Sequence, residues 1–164
     1  MGKCIVSAVI ILVVISVNQV EPAPEAFKQL TSGFLKVLND CMSELDIKES
    51  VLMDLYHMWK QDYSSLHRET GCVIICMSKK LTLFDLDGKF HHVNTKEFAL
   101  KNGASEEVAN QLVTLAHACD KKVQVTDDEC DRALELAKCF RTDIQSIDWD
   151  PSMEVVVSEV LTDV

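Results

Sequence analysis

The run Cys72-Val73-Ile74-Ile75-Cys76-Met77 is apolar at every position. A helix that is apolar all round belongs in the middle of a bundle, enclosed by neighbours, because it has no polar face to give to water. Its two cysteines stand about one turn apart at ~3.6 residues per turn, so they face similarly and can tie this helix to two different neighbours at different heights. On the N-terminal side, Phe27, Leu30, Phe34, Val37, Leu38, Cys41 and Leu45 form one stripe at three- and four-residue steps, which predicts a first helix of about five turns that must be buried against a partner. Val51, Leu52, Leu55, Tyr56 and Trp59 predict a second helix. On the C-terminal side, Asp85 to His92 reads as a loop. Asn94 with Glu97 has capping-box spacing, and Gly103 suits a helix end. Ser105 opens a helix through Val108, Leu112, Leu115, Ala116 and Cys119, and Thr126 with Glu129 is the predicted cap of another through Cys130, Ala133, Leu134, Ala137 and Phe140. Asp150-Pro151 marks the start of a tail helix. Helical spacing nearly throughout, with no repeat or linker, makes the fold class all-α.

The chain has 164 residues and is 48% hydrophobic, enough for one domain with a real core. Sixteen Lys and Arg against 26 Asp and Glu give a formal charge of -10, which repels phosphate backbones and argues against nucleic acid as a partner. Only 5 Gly, 3 Pro and 6% aromatic residues argue against sandwiches and barrels, and neither G-x-G-x-x-G nor G-x-x-x-x-G-K-[ST] occurs.

Lys3 precedes an apolar run from Ile5 to Val17 broken only by Ser7 and Ser16, the pattern of a secretory signal peptide over 1–22 with a mature start at Ala23. The run is too short to span ~30 Å of hydrocarbon as a helix. Removing it takes away Cys4 and leaves Cys41, Cys72, Cys76, Cys119, Cys130 and Cys139, an even set in an exported chain, so three disulfides are expected. A zinc site would need paired C-x-x-C spacing, whereas here the spacing is C-x3-C with no matching second pair. Cys130 and Cys139 lie about half a turn apart in rotation at ~100° per residue, so they point to opposite sides of their helix. Six cysteines allow about 15 pairings, and spacing does not choose among them.

The intervals Cys-x30-Cys-x3-Cys-x42-Cys-x10-Cys-x8-Cys resemble the six-cysteine pattern of insect odorant-binding proteins. The segments His67-Arg68-Glu69-Thr70-Gly71-Cys72, Cys76-Met77-Ser78-Lys79-Lys80-Leu81, Asp87-Gly88-Lys89-Phe90-His91-His92 and Trp149-Asp150-Pro151-Ser152-Met153-Glu154-Val155 are similar to moth pheromone-binding proteins within that group, and the similarity covers the mature chain 23–164. The resemblance implies a bundle of about six helices stapled around an apolar cavity by Cys41–Cys76, Cys72–Cys130 and Cys119–Cys139. It implies an extracellular carrier, not an enzyme, that solubilises a long-chain alcohol, aldehyde or acetate in sensory lymph. No cofactor and no metal are expected. Candidate further partners are an olfactory receptor or membrane surface, and a second copy of the chain as a homodimer.

By the same resemblance Phe34 and Phe140 sandwich the ligand, and Phe27, Leu30, Thr31, Leu55, Met58, Trp59, Ile74, Leu83, Phe90, Phe98, Val113 and Ala116 complete the wall. Periodicity alone reads each of them as core. Met58 stands where many relatives carry Phe. Ser78, following the enclosed run, is the candidate polar handle for an oxygen at one end of the ligand; its competing role is a hydroxyl bonded back to its own helix.

Release by acid is a further expectation. Met153, Val156, Val157, Val160, Leu161 and Val164 give the tail 152–164 one apolar face, interrupted by Glu154, Glu159 and Asp163. Protonating those carboxylates below about pH 5 lowers the cost of burying the tail. Imidazoles ordinarily gain charge as pH falls through about 6.5, so His91, His92 and His117 are the candidate partners of this switch.

Competing functions find less support. No H-E-x-x-H occurs, and Asp85-Leu86-Asp87-Gly88 does not complete a calcium loop. A secreted phospholipase would show Cys-Cys-x-x-His-Asp and a serine hydrolase G-x-S-x-G, and both are absent. A general odorant-binding protein for plant volatiles and a helical signalling protein acting through its surface remain the alternatives to a pheromone carrier.

Overall fold

The computed structural model describes residues 24–85, 88–124 and 126–147, with side chains in the first helix described from Phe34 onward. The leader 1–22, the predicted start Ala23, the side chains of Phe27, Leu30 and Thr31, the Leu86-Asp87 pair, and the tail with Glu154, Glu159 and Asp163 lie outside the described residues. Six helices follow in order: α1 (Pro24–Glu44), α2 (Ser50–Trp59), α3 (Arg68–Lys80), α4 (His92–Lys101), α5 (Glu106–Lys122) and α6 (Glu129–Asp143), the last running into a 3-10 turn over Ile144–Ser146. Among the described residues there is no β-strand, only one isolated antiparallel bridge between Phe84 and Phe90.

The apolar stripes bury as helical spacing requires, but among the described residues they build two core clusters rather than one. Leu38, Cys41 and Met42 of α1, Val51 of α2, and Val73 and Met77 of α3 form the first; Ala99, Ala104, Ala109, Leu112 and Ile144 form the second, around α4, α5 and the 3-10 turn. Leu45, read as the end of the first stripe, is 42% exposed, because α1 stops at Glu44 and the chain turns through Asp46 at φ 51°. Helix α3 is less enclosed than its composition predicts. Val73 and Met77 are buried, yet Cys72, Ile74, Ile75 and Cys76 are half-buried, so packing against α6, α1 and α2 leaves part of its girth uncovered.

The disulfides join Cys41 to Cys76, Cys72 to Cys130 and Cys119 to Cys139, the pairs implied by the resemblance. The first ties α1 to α3 and the third ties α5 to α6. The second crosses between those groups, where Gly71 lets α3 and α6 approach so closely that a Cβ there would meet the Cys130 carbonyl oxygen at 1.9 Å.

Two caps differ from expectation. The hydroxyl of Ser105 accepts from the Val108 N–H as predicted. Helix α4, however, begins at His92, inside the predicted loop, and its cap is the His91 ring, whose Nδ1 accepts from the Asn94 N–H at 3.4 Å. Asn94 instead donates from Nδ2 to the Thr82 carbonyl. Helix α6 is capped by Asp128, whose Oδ1 accepts from the Cys130 and Asp131 N–H groups, while the Thr126 hydroxyl donates to the Asp128 carbonyl.

Candidate functional site

Twelve of the predicted wall residues have described side chains, and only Ala116 is buried; Phe34, Leu55, Met58, Trp59, Ile74, Ser78, Leu83, Phe90, Phe98, Val113 and Phe140 are all half-buried. They come from every helix and from the loop before α4, and none belongs to the buried part of either core. Phe34 and Leu55 flank the first core, and Phe140 flanks the second. Leaving large apolar side chains half-covered forgoes ~25 cal/mol per Å² of the area still wet, which favours covering each of them with something apolar. Trp59 has one face taken: the Arg141 guanidinium lies 4.3 Å from its ring centroid, and Arg141 Nε donates to the Trp59 carbonyl at 2.8 Å.

Ser78 occupies the last turn of α3, where its carbonyl accepts from the Leu83 N–H at 2.8 Å. Thr82 supplies the left-handed residue that this helix ending needs, at φ 57°. The hydroxyl is a separate matter. Thr114 and Thr142 bond back to the carbonyls of Asn110 and Lys138 in their own helices, but the Ser78 hydroxyl has no hydrogen-bond partner among the described residues. The back-bonded role that competed with a ligand-facing one is therefore not taken within that set.

The loop before α4 is closed by aromatic contacts. Phe84 meets Phe90 at 5.6 Å between centroids, Phe90 meets His92 at 5.0 Å, and His92 meets His117 of α5 at 4.5 Å. His91 and His92 diverge, one capping α4 and the other joining this row. His117 Nδ1 is buried and has no partner among the described residues. Asp85 spends its carboxylate on the turn itself, accepting from the Lys89 N–H at 2.8 Å, and Gly88 completes the turn at φ 72°.

Two groups of residues escaped the sequence reading. Asp54 is buried on the inner face of α2, and its Oδ2 accepts from the Thr70 hydroxyl at 2.7 Å and from the His67 N–H and ring Nδ1 at 2.9 Å each. Burial pushes its carboxyl up, but the bonds from Thr70 and His67 outweigh it and hold the group below the usual carboxylate range. The signal was present: Asp54 falls three residues after Val51 and one before Leu55, on the face that α2 buries. Arg141 gave a fainter one, a cation following the Cys139-Phe140 pair on α6.

A surface cleft of about 680 Å³ lies along the end of α5 and α6, lined by Tyr63, Lys122, Arg132, Glu135, Lys138 and Asp143 among others. It includes none of the predicted wall residues. Among the described residues, one cluster brings metal-ligand atoms together, Cys119, Cys139 and Asp143, but its two sulfurs are bonded to each other and offer no thiolate.

Comparison with known proteins adds a consistent set of matches. Residues 24–143 match the model of the PBP/GOBP family. The chain is 39% identical over 145 residues to pheromone-binding protein 2 of Epiphyas postvittana, covering 88% of each chain. It is 34% identical over 132 residues to general odorant-binding protein 2 of Heliothis virescens, covering 80% of this chain and 82% of that one. Among solved structures, the crystal structure of Epiphyas postvittana pheromone binding protein 3 superposes with a TM-score of 0.68 at 51% identity, over 70% of this chain and 98% of that one.

Proposed function

Since this chain belongs to the PBP/GOBP family, a family of binding proteins and not of enzymes, we propose that it is an extracellular carrier whose interior takes up a long-chain apolar volatile with an oxygen function at one end. It carries small hydrophobic ligands as its relatives do. The observation that bears most on the finer reading is that Phe34 and Leu55 flank one core and Phe140 the other while all three stay half-buried, as does Ser78, whose hydroxyl has no hydrogen-bond partner among the described residues. Phe34 on one core and Phe140 on the other would grip the chain, each buried CH2 of which contributes ~0.8 kcal/mol, and Ser78 would orient the oxygen. The pheromone reading is favoured over plant volatiles because the higher identities are to pheromone-binding proteins.

Two further features complete the proposal. The leader 1–22 directs export and is removed, and the mature protein works in sensory lymph. Ligand is held near neutral pH and lost in mild acid. Protonating His92 and His117, whose rings meet at 4.5 Å, would place like charges beside the Phe84 to Phe90 loop while the carboxylates of the tail become easier to bury. Displacement of a hydrophobic fluorescent probe by a long-chain acetate at pH 7 and pH 5 tests both parts, using full-length protein and a form lacking Met153 to Val164. The reading expects displacement at pH 7 in both forms and retention at pH 5 only in the truncated one. Failure of the probe to bind either form at pH 7 would overturn the carrier. Equal loss from both forms at pH 5 would remove the tail from the switch.

A further inference from the structure

The three disulfides differ sharply in surroundings. In Cys41–Cys76 and in Cys119–Cys139 one sulfur belongs to a residue with 0% exposure, Cys41 and Cys119 respectively, whereas both members of Cys72–Cys130 are half-buried. The local charges differ as well. An Arg68 guanidinium nitrogen lies 3.5 Å from Cys72 Sγ, on the preceding turn of α3, held there by a 2.7 Å bond from its Nε to Asp128. The Asp143 carboxylate lies 3.6 Å from Cys119 Sγ and 3.8 Å from Cys139 Sγ, and Lys122 pairs with it at 3.3 Å. Thiol–disulfide exchange is fastest where the attacking thiolate has access and the departing sulfur's negative charge is stabilised. A guanidinium beside the departing sulfur supplies that stabilisation, and a carboxylate beside both sulfurs opposes it.

The geometry points to Cys72–Cys130 as a site of exchange with small thiols. The incoming thiolate attacks Cys130 Sγ and forms a mixed disulfide there. The Cys72–Cys130 bond breaks, and its electron pair leaves on Cys72 Sγ as a thiolate beside Arg68. A second thiol then releases Cys130 as a thiolate, so that two thiols are oxidised to one disulfide and the protein bond is reduced by two electrons. Cys72–Cys130 is also, of the three, the bond that joins the helices of the first core to α6, because Cys41–Cys76 stays within α1 and α3 and Cys119–Cys139 within α5 and α6. Exchange at this one position therefore removes the disulfide link between the two halves while leaving each internally stapled and the packing of α3 on α6 in place.

The test is brief exposure of the oxidised protein to limiting reduced glutathione near pH 8, followed by alkylation and peptide mapping. Alkylated Cys72 and a glutathione adduct on Cys130 are expected well before any label on the other four cysteines, with several-fold slower exchange in Arg68→Gln and recovery in Arg68→Lys. Because Arg68→Gln also loses the Asp128 bond, a second variant is needed: Asp143→Asn should speed labelling of Cys119 and Cys139 several-fold. Labelling of Cys119–Cys139 or Cys41–Cys76 ahead of Cys72–Cys130, or an adduct on Cys72 in place of Cys130, would overturn the assignment. So would rates unchanged in both Arg68→Gln and Asp143→Asn.

Discussion

Asp54 shows how much one buried carboxylate can organise. It gathers the Thr70 hydroxyl, the His67 N–H and the His67 ring onto a single oxygen, and Thr70 has 0% exposure, so no water can replace the carboxylate as the partner of its hydroxyl. Asp54→Ala should destabilise the protein by about 2–3 kcal/mol in urea unfolding, in keeping with hydrogen bonds to a charged group. The pH dependence has a definite sign. The folded carboxyl lies below its unfolded value, so its stabilisation is fully present above about pH 4 and is lost as pH falls through the folded value. Asp54→Asn should therefore flatten the stability profile below pH ~4 while leaving its slope above pH ~5 unchanged. Ser78 makes the opposite case, a hydroxyl without a partner in the described fold. Ser78→Ala should leave urea stability nearly unchanged and weaken oxygen-bearing ligands by roughly 0.5–1.5 kcal/mol, with no effect on a pure hydrocarbon of the same length. A measured loss of stability in place of the loss of affinity would return Ser78 to a structural role.

At the scale of elements, packing and caps follow short-range rules that one competing residue can override. Ser105 caps α5 as spacing predicts because no better acceptor stands beside it. Thr126 loses the α6 cap to Asp128, a carboxylate two residues on that also holds Arg68. Asn94 loses α4 to the His91 ring, since the bridge between Phe84 and Phe90 delivers the chain into a helix earlier than the polar pattern implies. Helical periodicity recovered the apolar faces of α1, α2, α5 and α6, but it could not say which cysteines meet, because pairing depends on which helices touch. That came only from the resemblance. The α3–α6 contact yields a sharp expectation: Gly71→Ala forces a Cβ into the Cys130 carbonyl and should cost at least ~3 kcal/mol or prevent formation of the Cys72–Cys130 bond, read by melting and by free-thiol titration. Thr82 closes α3 in a left-handed conformation that a β-branched residue adopts at a cost, so Thr82→Gly should raise stability by about 1 kcal/mol in the same assay.

For the whole molecule, the two-core layout matters more than any single contact. A single close-packed core would bury its large side chains, whereas here those of Phe34, Leu55, Ile74, Phe98 and Phe140 stay half-covered, with Phe34 and Leu55 against one cluster and Phe140 against the other. The all-α class was legible from periodicity, while the division into two cores was not, because a Phe facing a ligand and a Phe facing a neighbour share the same spacing. Phe34→Ala and Phe140→Ala should each weaken a long-chain ligand by about 1–3 kcal/mol, more than the exposed control Val93→Ala. The most direct measurement is native mass spectrometry of the oxidised protein equilibrated with a long-chain acetate at pH 7. The carrier account predicts a one-to-one noncovalent adduct that Phe34→Ala and Phe140→Ala each deplete; a protein that stays empty, or an adduct untouched by both substitutions, would contradict it.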